Sequence, residues 1–157
     1  MKKNKKEIVV VTSGGFDPLH IGHIRLFEES KKLGDKLIII LNNDNWLLKK
    51  KGCVFMPETE RKEIIEALRM VDEVVLTKHP ENPNDMSICH MLEEIRPDIL
   101  SKGGDRDQKD ANKASSSLNP EQKLCKRLGI KLVFNVGRGG KVQSSSWLIA
   151  KVKDSKK

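Results

Sequence analysis

The stretch Gly14-Gly15-Phe16-Asp17-Pro18-Leu19-His20-Ile21-Gly22-His23 decides the fold, because of what flanks it. Before it runs Ile8-Val9-Val10-Val11-Thr12, a β-branched series that reads as a buried strand. After it, Ile24 to Leu33 is amphipathic and reads as a helix, with Gly34 as its left-handed terminator. The glycines therefore sit where a strand hands over to a helix, and two imidazoles stand at that helix's start. A helix N-terminus gathers unpaired N–H groups and partial positive charge, which suits an anion such as phosphate. His20 and His23 are three residues apart, so on a helix they share one face.

Downstream, the same handover recurs. Lys36 to Leu41 is a continuous apolar run typical of a parallel strand covered on both faces. Asn42-Asn43-Asp44-Asn45 follows as a cluster of turn formers, then Trp46 to Gly52, with Lys49-Lys50-Lys51 read as a triplet on a surface loop, and a loop up to Pro57. Pro57-Glu58-Thr59-Glu60 opens a helix that runs to about Met70, its first-turn acids complementing the dipole. Glu73 to Thr77 is a third strand. Asp85 caps a helix carrying Ile88, Met91, Leu92 and Ile95, and Ile99 to Ser101 is a fourth strand. Residues 102 to 119 hold glycine, charge and serine with little that is apolar, and read as a long mobile loop. A helix from Asn119-Pro120 to Leu128, closed by Gly129, leads to a fifth strand, Lys131 to Val136. A turn at Gly137 to Gly140 and Ser144-Ser145-Ser146 precede a last helix.

This alternation predicts a Rossmann-like, doubly wound, five-stranded parallel sheet with helices on both faces. One domain covers residues 7–152, between a basic tail, 1–6, and a C-terminal tail, 153–157. Ligands of such sheets bind at the C-terminal ends of strands, near the topological switch point. The glycine turn, the lysine triplet, Lys102 to Asp105 and the serine trio all follow strands, so they share one mouth.

Composition narrows the class. The chain has 157 residues, 37% hydrophobic and 33% charged, with a net charge of +8. No apolar run approaches the roughly 18 residues of a membrane span, and Ile8 to Val11 is too short for the core of a signal peptide. The chain reads as cytoplasmic. Cys53, Cys89 and Cys125 are odd in number and lack metal-ligand spacing, so they read as free thiols. The positive charge suits either nucleic acid or a pocket for several phosphates. Aromatics are 4% of residues and Tyr is absent, which leaves few stacking platforms for single strands.

Gly14-Gly15-Phe16-Asp17 with His20-Ile21-Gly22-His23 resembles the G-x-F-D-x-x-H-x-G-H pattern of the cytidylyltransferase-like nucleotidyltransferases. Glu60-Arg61-Lys62 with Val71-Asp72-Glu73-Val74 resembles the glycerol-3-phosphate cytidylyltransferases. Arg96 to Asp105 is closer to adenylyltransferases acting on heptose 1-phosphate, and Ser144 to Ser146 matches the family's closing motif. The pattern is departed from at three places. Gly15 stands where Thr, Val or Ser is usual, Ile149-Ala150 follow where relatives often carry Arg, and Gly104 replaces an acid.

The resemblance implies transfer of CMP or AMP from CTP or ATP to a sugar, polyol or amino-alcohol phosphate, with release of pyrophosphate. It implies His20, His23, Lys50 and Lys51 as catalytic residues. Gly14, Gly15, Phe16, Asp17, Gly22, Lys102, Gly103, Asp105 and Ser144 to Ser146 would bind nucleotide, and Arg61 the acceptor or a phosphate. On the residues alone, Asp17 braces the turn or caps the helix, and Arg61 is either a phosphate contact or a surface partner of Glu58 or Glu66. His79 and His90 read as loop and helix-surface residues. No carboxylate cluster is laid out for metal, so Mg²⁺ would arrive on the triphosphate. Homodimerisation is implied by resemblance only. The competing reading is a non-catalytic nucleotide binder, or a basic RNA-binding relative of the same fold.

Overall fold

The computed structural model describes residues 4–104, 106–137 and 143–156. Strands β1 (Val9–Gly14), β2 (Lys36–Leu41), β3 (Glu73–Leu76), β4 (Ile99–Gly103) and β5 (Lys131–Val136) form one sheet. Its order is β3-β2-β1-β4-β5, and every neighbouring pair is parallel. The chain winds outward from β1 to β3, then crosses back beside β1 and winds to β5. The switch point thus lies between β1 and β4, at the end of the strand that carries the glycine turn.

Side-chain alternation along the strands builds two cores. Val10, Leu37, Ile39 and Leu41 face one side and pack with Leu26 and Phe27 of α1 (Ile21–Lys31). Ile65 of α3 (Glu58–Glu66) completes that layer. Val11, Ile38, Ile40 and Leu100 face the other side, against Met91 and Leu92 of α4 (Cys89–Ile95) and Leu124 and Cys125 of α6 (Leu118–Leu128). Each fully buried aliphatic side chain contributes about 1.5–3 kcal/mol. The face reversal between α3 and α4 is what right-handed crossovers require when the winding direction reverses. Between β1, β4 and α1 the core is polar but satisfied. Thr12 Oγ1 donates to Ser101 O at 3.0 Å, and the Ser30 and Ser101 hydroxyls lie 2.8 Å apart.

Several local expectations are corrected. Gly34 does not adopt a left-handed conformation. It is glycine because a Cβ there would fall 2.7 Å from Ile8 O, where the α1–β2 turn presses on β1. The lysine triplet is the last turn of a helix, α2 (Asp44–Lys51), and not a loop. Asn43 caps it by accepting from Trp46 N at 3.0 Å, and Gly52 ends it in the left-handed conformation. Helix α3 stops at Glu66 rather than near Met70. Asp85 caps no helix; it accepts from Ser87 N at 2.9 Å, and α4 begins later, at Cys89.

The expected loop at 102–119 is largely ordered. β4 continues to Gly103, α5 (Gln108–Asn112) follows, and α6 begins before Asn119. Fully buried Ala111 anchors α5, and Asn119 Nδ2 donates to Ala111 O at 2.9 Å. Asp107 caps α5 through Asp110 N. The serine trio opens α7 (Ser145–Asp154). The turn expected at Gly137 to Gly140 lies outside the described residues from 138 onward, as do residues 1–3 of the basic tail and Lys157. Among the described residues no helix is long and apolar enough to cross a membrane.

Candidate active site

The glycine turn is built by close packing. A Cβ on Gly14 would meet the Phe16 ring at 2.8 Å, and one on Gly15 would meet Leu47 Cδ2 at 2.8 Å. Phe16 itself sits at φ 48°, a strained value for an aromatic residue, and its buried ring holds it there. That ring meets His23 edge-on, with centroids 4.8 Å apart, and Phe27 at 4.9 Å. Phe16 is thus the platform under the second imidazole as well as backbone in the turn.

Asp17, 1% exposed, accepts from Phe55 N and Met56 N at 2.7 Å each. Its carboxylate therefore braces the segment after α2. It does not border the cavity, so the assignment of Asp17 to nucleotide is corrected to a structural brace.

Both histidines join a reciprocal cap on α1. Gly22 N donates to His20 Nδ1 at 3.0 Å, and His20 N donates to His23 Nδ1 at 3.2 Å. An imidazole that accepts at Nδ1 while neutral carries its proton on Nε2. Each ring is therefore fixed as an Nε2–H donor. The rings stack at 3.6 Å with 25° between planes, so a proton on one repels a proton on the other. Burial lowers the His23 pKa to about 3, helped by His20 and Lys51; burial and then Lys51 lower that of His20. Near neutral pH His23 is an uncharged donor and not a base in need of its proton.

Both rings border a cavity of about 300 Å³ at the carboxyl edge of the sheet. Gly14, Gly15, Phe16, Gly22, Lys102 and Gly103 also line it, as do Lys51 and Ser144 to Ser146. Burial lowers the Lys51 pKa, with the Asp17 charge opposing, and its Nζ donates to Asp17 O at 3.2 Å. Ser145 Oγ donates to Pro18 O at 2.9 Å and ties the start of α7 to the glycine turn. Asp105 lies outside the described residues.

Two expected residues stand apart. Lys50 is exposed and does not border the cavity. Arg61 is neither a phosphate contact nor a partner of Glu58 or Glu66. Buried to 1% exposure, it donates to Met56 O, Gly15 O and Asn42 O at 2.7–2.8 Å and pairs with Asp44 Oδ1 at 2.7 Å. It fastens the glycine turn to the end of β2 from behind. His79 lies in the loop after β3, as expected, and is buried there, 2.8 Å from Thr77 Oγ1 and 3.0 Å from Ser87 O, with His90 edge-on.

Glu121 and Asn42 escaped the sequence reading. Glu121 is 3% exposed and borders the cavity, its Oε1 accepting from Ile88 N and its Oε2 lying 3.0 Å from Lys102 Nζ. Lys102 also donates to Ser13 Oγ at 3.2 Å, so it is held across the end of β1. A signal existed, since Glu121 shares the helix face of Leu124 and Cys125 at i+3 and i+4. Among the described residues no group of three or more His, Cys, Asp or Glu gathers as a metal site. Glu121, the acid bordering the cavity, is already engaged.

A parallel sheet whose switch-point mouth collects fixed N–H donors, a lysine and a helix start is a Rossmann-like domain with a mouth suited to anions. The family model described as cytidylyltransferase-like matches residues 11–138, and the chain belongs to that nucleotidyltransferase family. Among curated relatives, the FAD synthase of Thermococcus sibiricus is 41% identical over 103 residues, covering 65% of this chain and 66% of the relative. The bifunctional protein HldE of Koribacter versatilis is 36% identical over 105 residues, covering 66% of this chain and 20% of the relative. The aligned part thus spans just under two thirds of that FAD synthase and a fifth of that HldE. A solved structure titled as a lipopolysaccharide core biosynthesis protein, from Thermoplasma volcanium, superposes with a TM-score of 0.63 at 29% identity. That match covers 84% of this chain and 98% of the other.

Proposed function

We propose that this protein transfers a nucleoside monophosphate, AMP in preference to CMP, from its triphosphate to a phosphorylated small molecule. An acceptor phosphate oxygen attacks the α-phosphorus; the bond from that phosphorus to the bridging oxygen breaks, and pyrophosphate leaves with the electron pair. A phosphate monoester, with a second pKa of roughly 6, is already mostly ionised at neutral pH and needs no strong base. What remains is alignment and stabilisation of charge on the transferring group.

The observation that carries this reading is the pair of imidazoles locked as Nε2–H donors beside Lys51. Donors set in place before reaction stabilise developing charge without reorganisation. Lys102, Gly103 and Ser144 to Ser146 border the same cavity and supply further contacts to the nucleotide. Mg²⁺ enters as part of the triphosphate substrate and neutralises its phosphate oxygens. The preference for AMP rests on the FAD synthases among the relatives, whose named product holds an adenylyl group. Exposed Ile21, Leu48 and Phe55 support the homodimer that the family resemblance implies, and light scattering in solution tests it.

A pyrophosphate-release assay tests the function. ATP, CTP, GTP and UTP are each paired with sugar, polyol, amino-alcohol and flavin phosphates. The expected outcome is turnover with ATP and one acceptor class. Absence of turnover with every pair, together with RNA binding that weakens steeply with salt, would replace the enzyme by the RNA-binding reading.

A further inference from the structure

A second pair of imidazoles lies apart from the phosphate-handling groups, at the segment that links β3 to α4. Residues 77–88 form neither helix nor strand, yet they shape the cavity, because Met86 and Ile88 border it. So does Trp46, whose Nε1–H donates to Met86 O at 3.0 Å. Asn42 borders it too, its amide oxygen without a hydrogen-bond partner among the described residues. The segment is bound to the start of α2. His79 O accepts from Asn43 Nδ2 at 2.9 Å and from Asn45 Nδ2 at 3.0 Å, and Asn43 N donates to Thr77 Oγ1 at 3.0 Å.

The proton positions in this network follow from the groups that can only accept. Ser87 O lies 3.0 Å from His79 Nε2, and a carbonyl cannot donate, so Nε2 carries the proton. Nδ1 of the neutral ring is then bare and accepts from the Thr77 hydroxyl at 2.8 Å. A directed chain results, from Asn43 N–H to Thr77 Oγ1, from that hydroxyl to His79 Nδ1, and from His79 Nε2–H to Ser87 O. His90 Nε2 accepts from Lys78 N at 3.1 Å, so the neutral ring holds its proton on Nδ1. The two rings meet edge-on, with centroids 5.0 Å apart.

Neither ring can take a further proton without breaking a bond. On His79 the proton lands on Nδ1 and confronts the Thr77 hydroxyl proton. Thr77 and His79 are both buried, so one donor is left unpaired, which costs free energy. On His90 the proton lands on Nε2 and displaces Lys78 N–H. A charge on one ring also repels a charge on the other. Burial is the largest influence on both rings and lowers both pKa values. For His79 the Ser87 carbonyl, Asp85 and Glu121 favour the charged ring, and His90 opposes it. For His90, Asp85, Glu94 and Glu93 favour it, and Lys78 opposes it.

We infer that residues 77–88 are an acid-sensitive strap on the cavity: neutral His79 and His90 hold it against α2, and protonation of either ring frees Trp46 and Met86 from the wall. The device does not depend on what the cavity binds. Acid acts in the opposite sense at the phosphate end, where a proton on His20 adds positive charge facing an anion.

Trp147→Phe leaves Trp46 as the single tryptophan, whose fluorescence reports its bond to Met86 O. In that background, emission and acrylamide quenching are followed from pH 8 to pH 4 beside far-UV circular dichroism. Quenching should rise about twofold or more through a midpoint below pH 6.5, with the dichroism unchanged, as local opening requires. His79→Gln combined with His90→Gln supplies a non-titrating donor for Ser87 O and an acceptor for Lys78 N, and should abolish the transition. In the same Trp147→Phe protein, ¹⁵N-edited NMR should show His79 as Nε2–H and His90 as Nδ1–H at pH 8. At least one ring should gain its proton in step with the Trp46 change. Absence of a transition in the folded protein would overturn the strap, as would an unchanged transition in the double glutamine variant. Loss of dichroism in step with the emission would also overturn it, by assigning the change to global unfolding. Should the double variant not fold, NMR decides alone, and a Trp46 transition with both rings still neutral overturns the inference.

Discussion

Arg61 and the stacked pair His20–His23 are two polar clusters at the same glycine turn, the first buried behind it and the second bordering the cavity. Arg61 spends its guanidinium inward, on three backbone carbonyls and Asp44. The histidines spend only Nδ1 on the protein, which leaves Nε2–H in each ring. Both clusters are built from residue types that bind phosphate. What separates fold from function here is the hydrogen-bonding capacity left over after packing. The turn is gripped from behind so that its front can stay open.

The strongest way to break this comparison is Arg61→Ala. It would strip donors from three carbonyls and leave Asp44 without its partner. We expect a loss of about 3–5 kcal/mol in urea unfolding, as for other broken buried pairs. A fully stable variant with weakened nucleotide binding would return Arg61 to the phosphates. On the front side, His23→Ala should lower turnover about 10²–10³-fold, the usual loss for one fixed donor to a developing charge. Its stability should fall by only about 1 kcal/mol, the value of a helix cap. Unchanged turnover in the pyrophosphate assay would remove the imidazoles from the mechanism.

Acid sharpens the contrast. The folded-state pKa of His23, about 3, lies below the unfolded value of 6.5. Between those values the unfolded chain binds the extra proton, so stability falls as pH drops from 6.5 toward 3. The slope from this group approaches about 1.4 kcal/mol per pH unit. Urea midpoints at pH 7, 5.5 and 4 should show a shallower decline in His23→Asn than in wild type; parallel declines would contradict a buried neutral imidazole. The smallest effect belongs to Lys50→Ala, an exposed residue beside one that lines the cavity. It should change stability by less than about 0.5 kcal/mol and leave turnover within a few-fold of wild type, whereas Lys51→Ala should lower turnover at least tenfold. Equal losses in the two would mean that helix charge, and not position at the mouth, is what counts.

Much of the architecture was legible because it is local. β-Branched runs, helical spacing and terminal glycines set the order of strands and helices without reference to distant residues. Misreadings arose where the deciding partner lies far along the chain. Residues 102–119 look like a loop because α5 is short and polar, and Ala111 becomes an anchor only once α6 folds back on it. Gly34 reads as a helix terminator, yet its constraint is Ile8 O, on the other side of α1. The lysine triplet reads as a loop because α2 shows no apolar stripe; its helicity rests on the Asn43 cap and the single buried Leu47.

By itself the sequence determined the winding of the sheet and the glycine turn with its two histidines at i and i+3. Those follow from backbone sterics and helical geometry, which act over a few residues. Only the tertiary structure decided that Arg61 is a clamp, that both imidazoles donate through Nε2, and that Asn42 and Glu121 belong to the cavity. Burial and hydrogen-bond saturation depend on atoms brought together from separate strands.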